Sequence, residues 1–212
     1  WLLSKWIYNN TNVRVIFSGE GSDELSGSYL YFRNAPSVED YHRECIRLCD
    51  DLHRYDVLRA DKSTAAHGLE VRVPFLDREF TNIYLRVDSS LRGPRGEKKV
   101  EKYLLRKSFE HVLPPSIVWR VKEAFSDGVS SKEKSWFQVI QDHVRETAAG
   151  GDLDSYGALD YLPATTPESQ WYRHMFQTYY PGRDNIIPYY WLPKWSGDVN
   201  DPSARVLETY TS

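Results

Sequence analysis

The period of apolar positions changes several times along the chain. Val13, Val15, Ile16 and Phe17 cluster as β-formers, which predicts a strand over 13–17, followed by a glycine turn and a helix starting near Asp23. In "SVEDYHRECIRLCDDLHRYDVLRADK", Val38, Tyr41, Cys45, Leu48, Leu52 and Tyr55 recur every three to four residues, the period of a helix, with Ser37 and Asp40 resembling a capping box ahead of it. "VPFLDREFTNIYLRV" places Asp77 as a cap before Phe80, Ile83, Tyr84 and Val87. Two further helices are expected: 98–111, stopped at Pro114-Pro115, and 131–148, stopped at Gly150-Gly151. "TTPESQWYRHMFQTYYPG" predicts one more, with Thr166 as cap, Pro167 in the first turn and Pro181-Gly182 as terminator. The tail "PYYWLPKW" reads as aromatic-rich loop packing.

One strand among several helices is not a self-sufficient α/β sheet. The strand therefore needs partners that this sequence need not contain. The chain opens at Trp1 and its only methionine is Met175, so it reads as a fragment with an N-terminal piece missing. Its 212 residues, 41% hydrophobic, suffice for a single core, and one domain spanning 1–212 is the simplest expectation. The net charge of −3, without a basic block, calls for no nucleic acid. No apolar run approaches the roughly 20 residues of a membrane helix, and no secretory leader is visible. The expected address is cytoplasmic, which makes the sequon Asn9-Asn10-Thr11 accidental.

His42, Cys45, Cys49 and His53 imitate a Cys2His2 metal set. On one straight helix these residues spread over roughly 16 Å of axis. Ligands at about 2.0 to 2.3 Å cannot converge from that spread, so reduced, partly buried cysteines are the better reading.

"RVIFSGEGSDELSG" crowds two glycines, Ser18 and the acids Glu20, Asp23 and Glu24 directly behind the strand. In open α/β sheets ligands sit beyond the carboxyl ends of strands, and Gly19 and Gly21 permit backbone conformations that would leave Ser18 and Gly19 free to contact a nucleotide. Asp23 and Glu24 could simply complement a helix dipole. Glu20 either faces solvent or holds a cation or a proton. Carboxylates beside phosphate require Mg²⁺ between them, so a nucleotide–Mg²⁺ site and a charged surface turn both stand open. No Walker loop, dinucleotide fingerprint or nucleophile elbow is present, which sets a serine hydrolase aside.

A second cluster, "YDVLRADKSTAAHGLEVRVPFLD", holds Asp56, Arg59, Asp61, Lys62, Glu70 and Arg72, a density typical of structural ion pairs, with His67 as a structural histidine. In "WRVKEAFSDG", Lys122 stands among Val121, Ala124 and Phe125, which fits an inward-pointing lysine.

Together "VIFSGEGSDEL", "YLYFRNAPS", "LRADKSTAAHGLEVRVPFLD", "WRVKEAFSDG" and "DPSAR" resemble, in the same order and essentially end to end, the synthetase domain of the glutamine-dependent asparagine synthetases. The spelling is similar to the animal enzymes. The resemblance implies an α/β adenine-nucleotide α-hydrolase-like (ATP pyrophosphatase) fold, here its mostly helical C-terminal part with one or few parallel strands. It implies a carbon–nitrogen ligase that joins aspartate to ATP as β-aspartyl-AMP, then to ammonia released from glutamine in an N-terminal glutaminase domain. By the same match Ser18 and Gly19 contact ATP, Glu20 supports formation and aminolysis of the acyl-adenylate, and Asp23 belongs to the Mg²⁺–pyrophosphate site. Lys122 stabilises phosphate charge, and Asp56 and Arg59 line the pocket. A homodimer is compatible with the resemblance.

Two departures qualify it. The family's N-terminal cysteine nucleophile has no counterpart in this sequence, and neither does its upstream Ser-Gly-Gly-x-Asp-Ser pyrophosphate loop. Residues 1–212 alone are therefore expected to show no aspartate-dependent ATP–pyrophosphate exchange. A noncatalytic pseudoenzyme or interaction fragment is the competing class, against which retention of Glu20, Asp23 and Lys122 argues. A related acyl-adenylate amide synthetase acting on another carboxylate is the third.

Overall fold

The computed structural model describes residues 1–93, 100–120, 122, 134, 136–148, 161–186 and 188–197. Its contacts divide the chain into two compact units, Trp1–Val121 and Lys122–Ser212.

The first unit runs α1 (Leu2–Asn10), β1 (Val15–Phe17), α2 (Ser22–Ser26), a 3₁₀ turn Leu30–Asn34, α3 (Val38–Asp51) with a 3₁₀ extension Leu52–Arg54, and α4 (Asp56–Ala65). It continues through β2 (Glu70–Arg72), a 3₁₀ turn Pro74–Leu76, α5 (Arg78–Arg86), α6 (Ser89–Arg92), α7 (Tyr103–Ser108) and α8 (Pro115–Val118). β1 and β2 pair in parallel, Val15 opposite Glu70, Ile16 opposite Val71 and Phe17 opposite Arg72. The expected lone strand thus has a partner within the chain. That partner hides between charges, since only Val71 of its three residues is apolar.

Several boundaries follow from local chemistry. The Ser37 side chain accepts from the Asp40 amide, and Asp77 accepts from the Phe80 amide, so α3 and α5 start where the caps predict. Among the described residues the helix expected over 98–111 is Tyr103–Ser108, and a left-handed backbone at Lys102 (φ 57°) sets its start.

The core of this unit joins Leu25, Tyr31, Phe32, Tyr41, Cys45 and Leu48, all buried. Phe32 stacks on Tyr31 with ring centroids 4.6 Å apart and meets Tyr41 edge-on at 5.3 Å. Two buried charges are built into it. Glu44 takes the Tyr31 hydroxyl at 2.9 Å and a bidentate Arg47 fork at 2.6 and 2.8 Å. Arg92 donates to the Val87 carbonyl at 2.9 Å and bonds His42 Nδ1 at 2.7 Å, between the rings of Tyr41 and Tyr84.

The second unit contains α9 (Trp136–Ala148), α10 (Pro167–Tyr179) and a 3₁₀ turn Asp184–Ile186. Thr166 and Ser169 form the reciprocal box that starts α10, and Pro167 occupies its first turn. Buried Arg173 pairs with Asp184 at 3.1 Å and donates to the Leu162 carbonyl at 2.5 Å. Tyr190 donates to the same carbonyl at 2.7 Å, tying the irregular aromatic tail to this unit at that point. The start of the helix expected from 131 and the "DPSAR" segment lie outside the described residues. No helix among the described residues is long and apolar enough to cross a membrane.

Candidate functional site

The acid-rich turn leaves β1 at its carboxyl end, as its sequence position requires. Gly21 takes φ 83°, and a Cβ there would meet Leu76 Cδ2 at 2.2 Å, so this glycine is demanded by both backbone and packing. Gly27 closes α2 at φ 54°, where a Cβ would lie 2.4 Å from the Tyr41 ring. The Tyr41 hydroxyl donates to the Ser26 carbonyl at 2.6 Å. These contacts seat the short α2 between α3 and the turn after β2.

Gly19 behaves differently from the expectation. Its φ is not positive, and nothing stands within 4 Å of where its Cβ would be. It is open surface beside the turn and needs no special conformation. The Ser18 amide is also not free, because it donates to the Arg72 carbonyl at 2.9 Å and continues the sheet. What Ser18 presents is its hydroxyl, which accepts from the Glu20 amide at 3.3 Å.

Three acids gather here with graded environments. Glu20 is half-buried, and its nearest cation is Arg59 Nη2 at 4.0 Å. Burial lifts its pKa above the ordinary value, Arg59 draws it back, and Asp56 and Asp23 push it up again. Arg59 itself is 69% exposed and pairs more closely with Asp56, at 2.6 Å. Glu20, Asp56 and Arg59 thus come together from the turn and from the first helical turn of α4. Asp23 Oδ1 receives the Ser28 hydroxyl and lies 2.8 Å from Lys102 Nζ. Glu24 is not a surface dipole partner. It is buried, takes the Tyr29 hydroxyl, and is pushed up to about 7 chiefly by that burial.

Lys102 is the residue that the sequence did not reveal. It lies in the run "GEKKVEK", which looks like a solvated charged stretch, and stands 80 residues from Ser22, to whose hydroxyl it donates at 3.1 Å. Lys122 is half-buried in the second unit, and its neighbours Val121, Ala124 and Phe125 lie outside the described residues.

Other sequence expectations resolve simply. Cys45 and Cys49 are free thiols, each pushed up to about 12 mainly by burial, as unreactive structural cysteines should be. Glu70 and Arg72 pair at 2.5 Å on the sheet surface, and Lys62 with Asp61 at 3.4 Å, ion pairs of the ordinary exposed kind. His67 packs edge-on against Trp1, a structural role.

Among the described residues no three His, Cys, Asp or Glu side chains converge to hold a metal by themselves. The donor set instead fits an ion shared with phosphate, because Mg²⁺ is ordinarily held through one or two carboxylates with the remaining oxygens from ligand and water. Asp23, half-buried at the mouth of the turn, has the chemistry for this.

The chain matches the asparagine synthase family model over residues 33–181, a span that includes Asp56 and Arg59 of α4 and starts after the acid-rich turn. The chain belongs to that family. It is 49% identical to the glutamine-hydrolyzing asparagine synthetase of Gallus gallus over 100% of its own length. To the enzymes of the same description from Mus musculus and Bos taurus it is 48% and 47% identical, over 100% and 99% of its length. The chain spans about 38% of the length of these relatives.

Proposed function

We propose that this chain is the C-terminal part of a synthetase domain that makes asparagine from aspartate, ATP and ammonia, with glutamine as the ammonia source in a separate glutaminase domain. The observation that carries this reading is the gathering of Glu20, Asp23, Asp56 and Arg59 beyond the carboxyl end of β1 in a member of the asparagine synthase family. The two parallel strands with their helices would be one part of an adenine-nucleotide α-hydrolase-like sheet.

In this scheme an oxygen of the aspartate β-carboxylate attacks the α-phosphorus of ATP, and the bond to pyrophosphate breaks. Ammonia then attacks the acyl carbon, AMP departs and one proton must leave the nitrogen. Glu20 suits that proton, since partial burial and its acidic neighbours raise its basicity relative to a solvated carboxylate. Ser18 and the open surface at Gly19 would lie against the nucleotide. Asp56 fixes Arg59, whose guanidinium is placed to bind a carboxylate or phosphate. Asp23 would hold Mg²⁺, which when bound screens the charge of the departing diphosphate. By the family resemblance, Lys122 would act on phosphate charge. Cytoplasmic location and a homodimeric assembly belong to the same reading.

The test is a chimera in which this chain replaces the matching 38% of the Gallus gallus enzyme. Ammonia-dependent asparagine formation with stoichiometric pyrophosphate is expected. A folded chimera that binds ATP yet releases no aspartate-dependent pyrophosphate would overturn the proposal, and release with a different carboxylate would reassign the substrate.

A further inference from the structure

We infer that Lys102 is a built-in counter-ion that occupies the cation position on Asp23 until a divalent ion displaces it, and so sets how tightly that ion binds. This rests on the reading of Asp23 as the metal-holding carboxylate.

The geometry is that of a placed group. Lys102 Nζ lies 2.8 Å from Asp23 Oδ1 and donates to Ser22 Oγ at 3.1 Å, two contacts to one turn from a residue 80 positions away. The lysine side chain is 22% exposed and the aspartate 26%, so water screens this pair less than it screens the exposed ion pairs of α4 and β2. The backbone at Lys102 is left-handed, a conformation disfavoured for lysine and kept only where its surroundings hold it. The preceding Glu101 is buried and paired with Arg33, which anchors the delivery point against the 3₁₀ turn Leu30–Asn34.

The same Oδ1 also receives the Ser28 hydroxyl, so both positive hydrogens converge on the oxygen that a metal would use. An ammonium is a compact point charge on a flexible four-carbon stem. Once displaced from Asp23 it remains within reach of the site and can turn to the anion that arrives with the metal, a diphosphate or polyphosphate group. Lys102 is thus a positioning residue in the ion-free state and a phosphate contact afterwards. Removing its charge should move the two affinities in opposite directions, which loss of a merely structural lysine would not do.

The experiment titrates the full chain with Mn²⁺ alone, following free ion by electron paramagnetic resonance, and then adds pyrophosphate at saturating Mn²⁺. Lys102→Asn is the main variant because asparagine tolerates the left-handed backbone, with Lys102→Gln as a second and Lys102→Arg to keep the charge. Relative to wild type, the neutral variants should bind Mn²⁺ about fivefold more tightly, the size expected for removing one partly screened ion pair. They should bind pyrophosphate more weakly, while Lys102→Arg restores both affinities toward wild type. Unchanged or weakened Mn²⁺ binding in folded neutral variants overturns the inference, provided Asp23→Asn abolishes binding in wild type. Absence of any Asp23-dependent Mn²⁺ binding in all variants sinks the magnesium reading together with it.

Discussion

Glu44 and Glu20 are both carboxylates beside an arginine, and the two pairs are built in opposite ways. Glu44 has no exposed side-chain surface and meets Arg47 through a bidentate fork, with the Tyr31 hydroxyl as an additional donor. Its charge is satisfied on every side, and it serves the fold. Glu20 is partly open, its arginine stands at 4.0 Å and is itself claimed by Asp56. Its charge is left under-neutralised: burial, helped by Asp56 and Asp23, lifts its pKa against the pull of Arg59, which in the proposed reading suits it to accept a proton from a substrate. Residue type and a nearby cation therefore do not distinguish a structural acid from a chemical one. In the proposed reading, the completeness of the surrounding hydrogen bonds does.

The largest expected effect falls on Glu20. Glu20→Gln in the chimera should lower asparagine formation by about 10² to 10⁴, the usual worth of a positioned general base, with folding stability within roughly 0.5 kcal/mol of the parent. Equal losses of activity and stability would make Glu20 a second Glu44 and erase the contrast. Glu44→Ala should show the converse, a loss of about 3 kcal/mol in urea denaturation, because Arg47 loses its bidentate acceptor, keeping Asp51 at 3.4 Å, and the Tyr31 hydroxyl loses its Glu44 bond. Next comes Gly27→Ala, for which a cost of about 2 kcal/mol is expected from the positive φ and the clash with Tyr41. Gly19→Ala should leave stability nearly unchanged, since its Cβ enters open space.

The remaining effects are in pH dependence, where Glu24 and His42 oppose each other. Glu24 is held near 7 in the fold against about 4.5 in an unfolded chain, so its contribution is fully present below the unfolded value and is lost as pH rises through about 7. Glu24→Gln should remove that decline. His42 is lowered by burial and by Arg92, so the unfolded chain takes up its proton first. Stability should fall as pH drops from about 6.5 toward its folded value, and His42→Gln should flatten that limb in denaturant midpoints measured across pH.

Much of this architecture was legible before any coordinates. Ser37, Asp77 and Thr166 announced their helices because a cap is a local interaction, written within three or four residues. The turn at 18–24 was legible as an acid-rich glycine turn behind a strand because its glycines and carboxylates are contiguous in the sequence. β2 was not, since a three-residue strand with charged flanks offers no alternation to read. Lys102 was invisible for a different reason. Its partners are distant in sequence, and a lysine among lysines and glutamates carries no local mark of being half-buried. Glu24 looked like a dipole partner because burial depends on α3 packing over it, which no pattern within α2 encodes.

Leu76 fills the volume that a side chain at position 21 would need, so the floor of the acid turn is supplied by a residue downstream of β2. The two positions form a single mould. Anyone seeking to reshape this turn by mutagenesis would have to edit both together, trimming Leu76 while keeping a residue at 21 that tolerates the left-handed backbone. A change at either alone would be expected to shift Glu20 and Asp23 together.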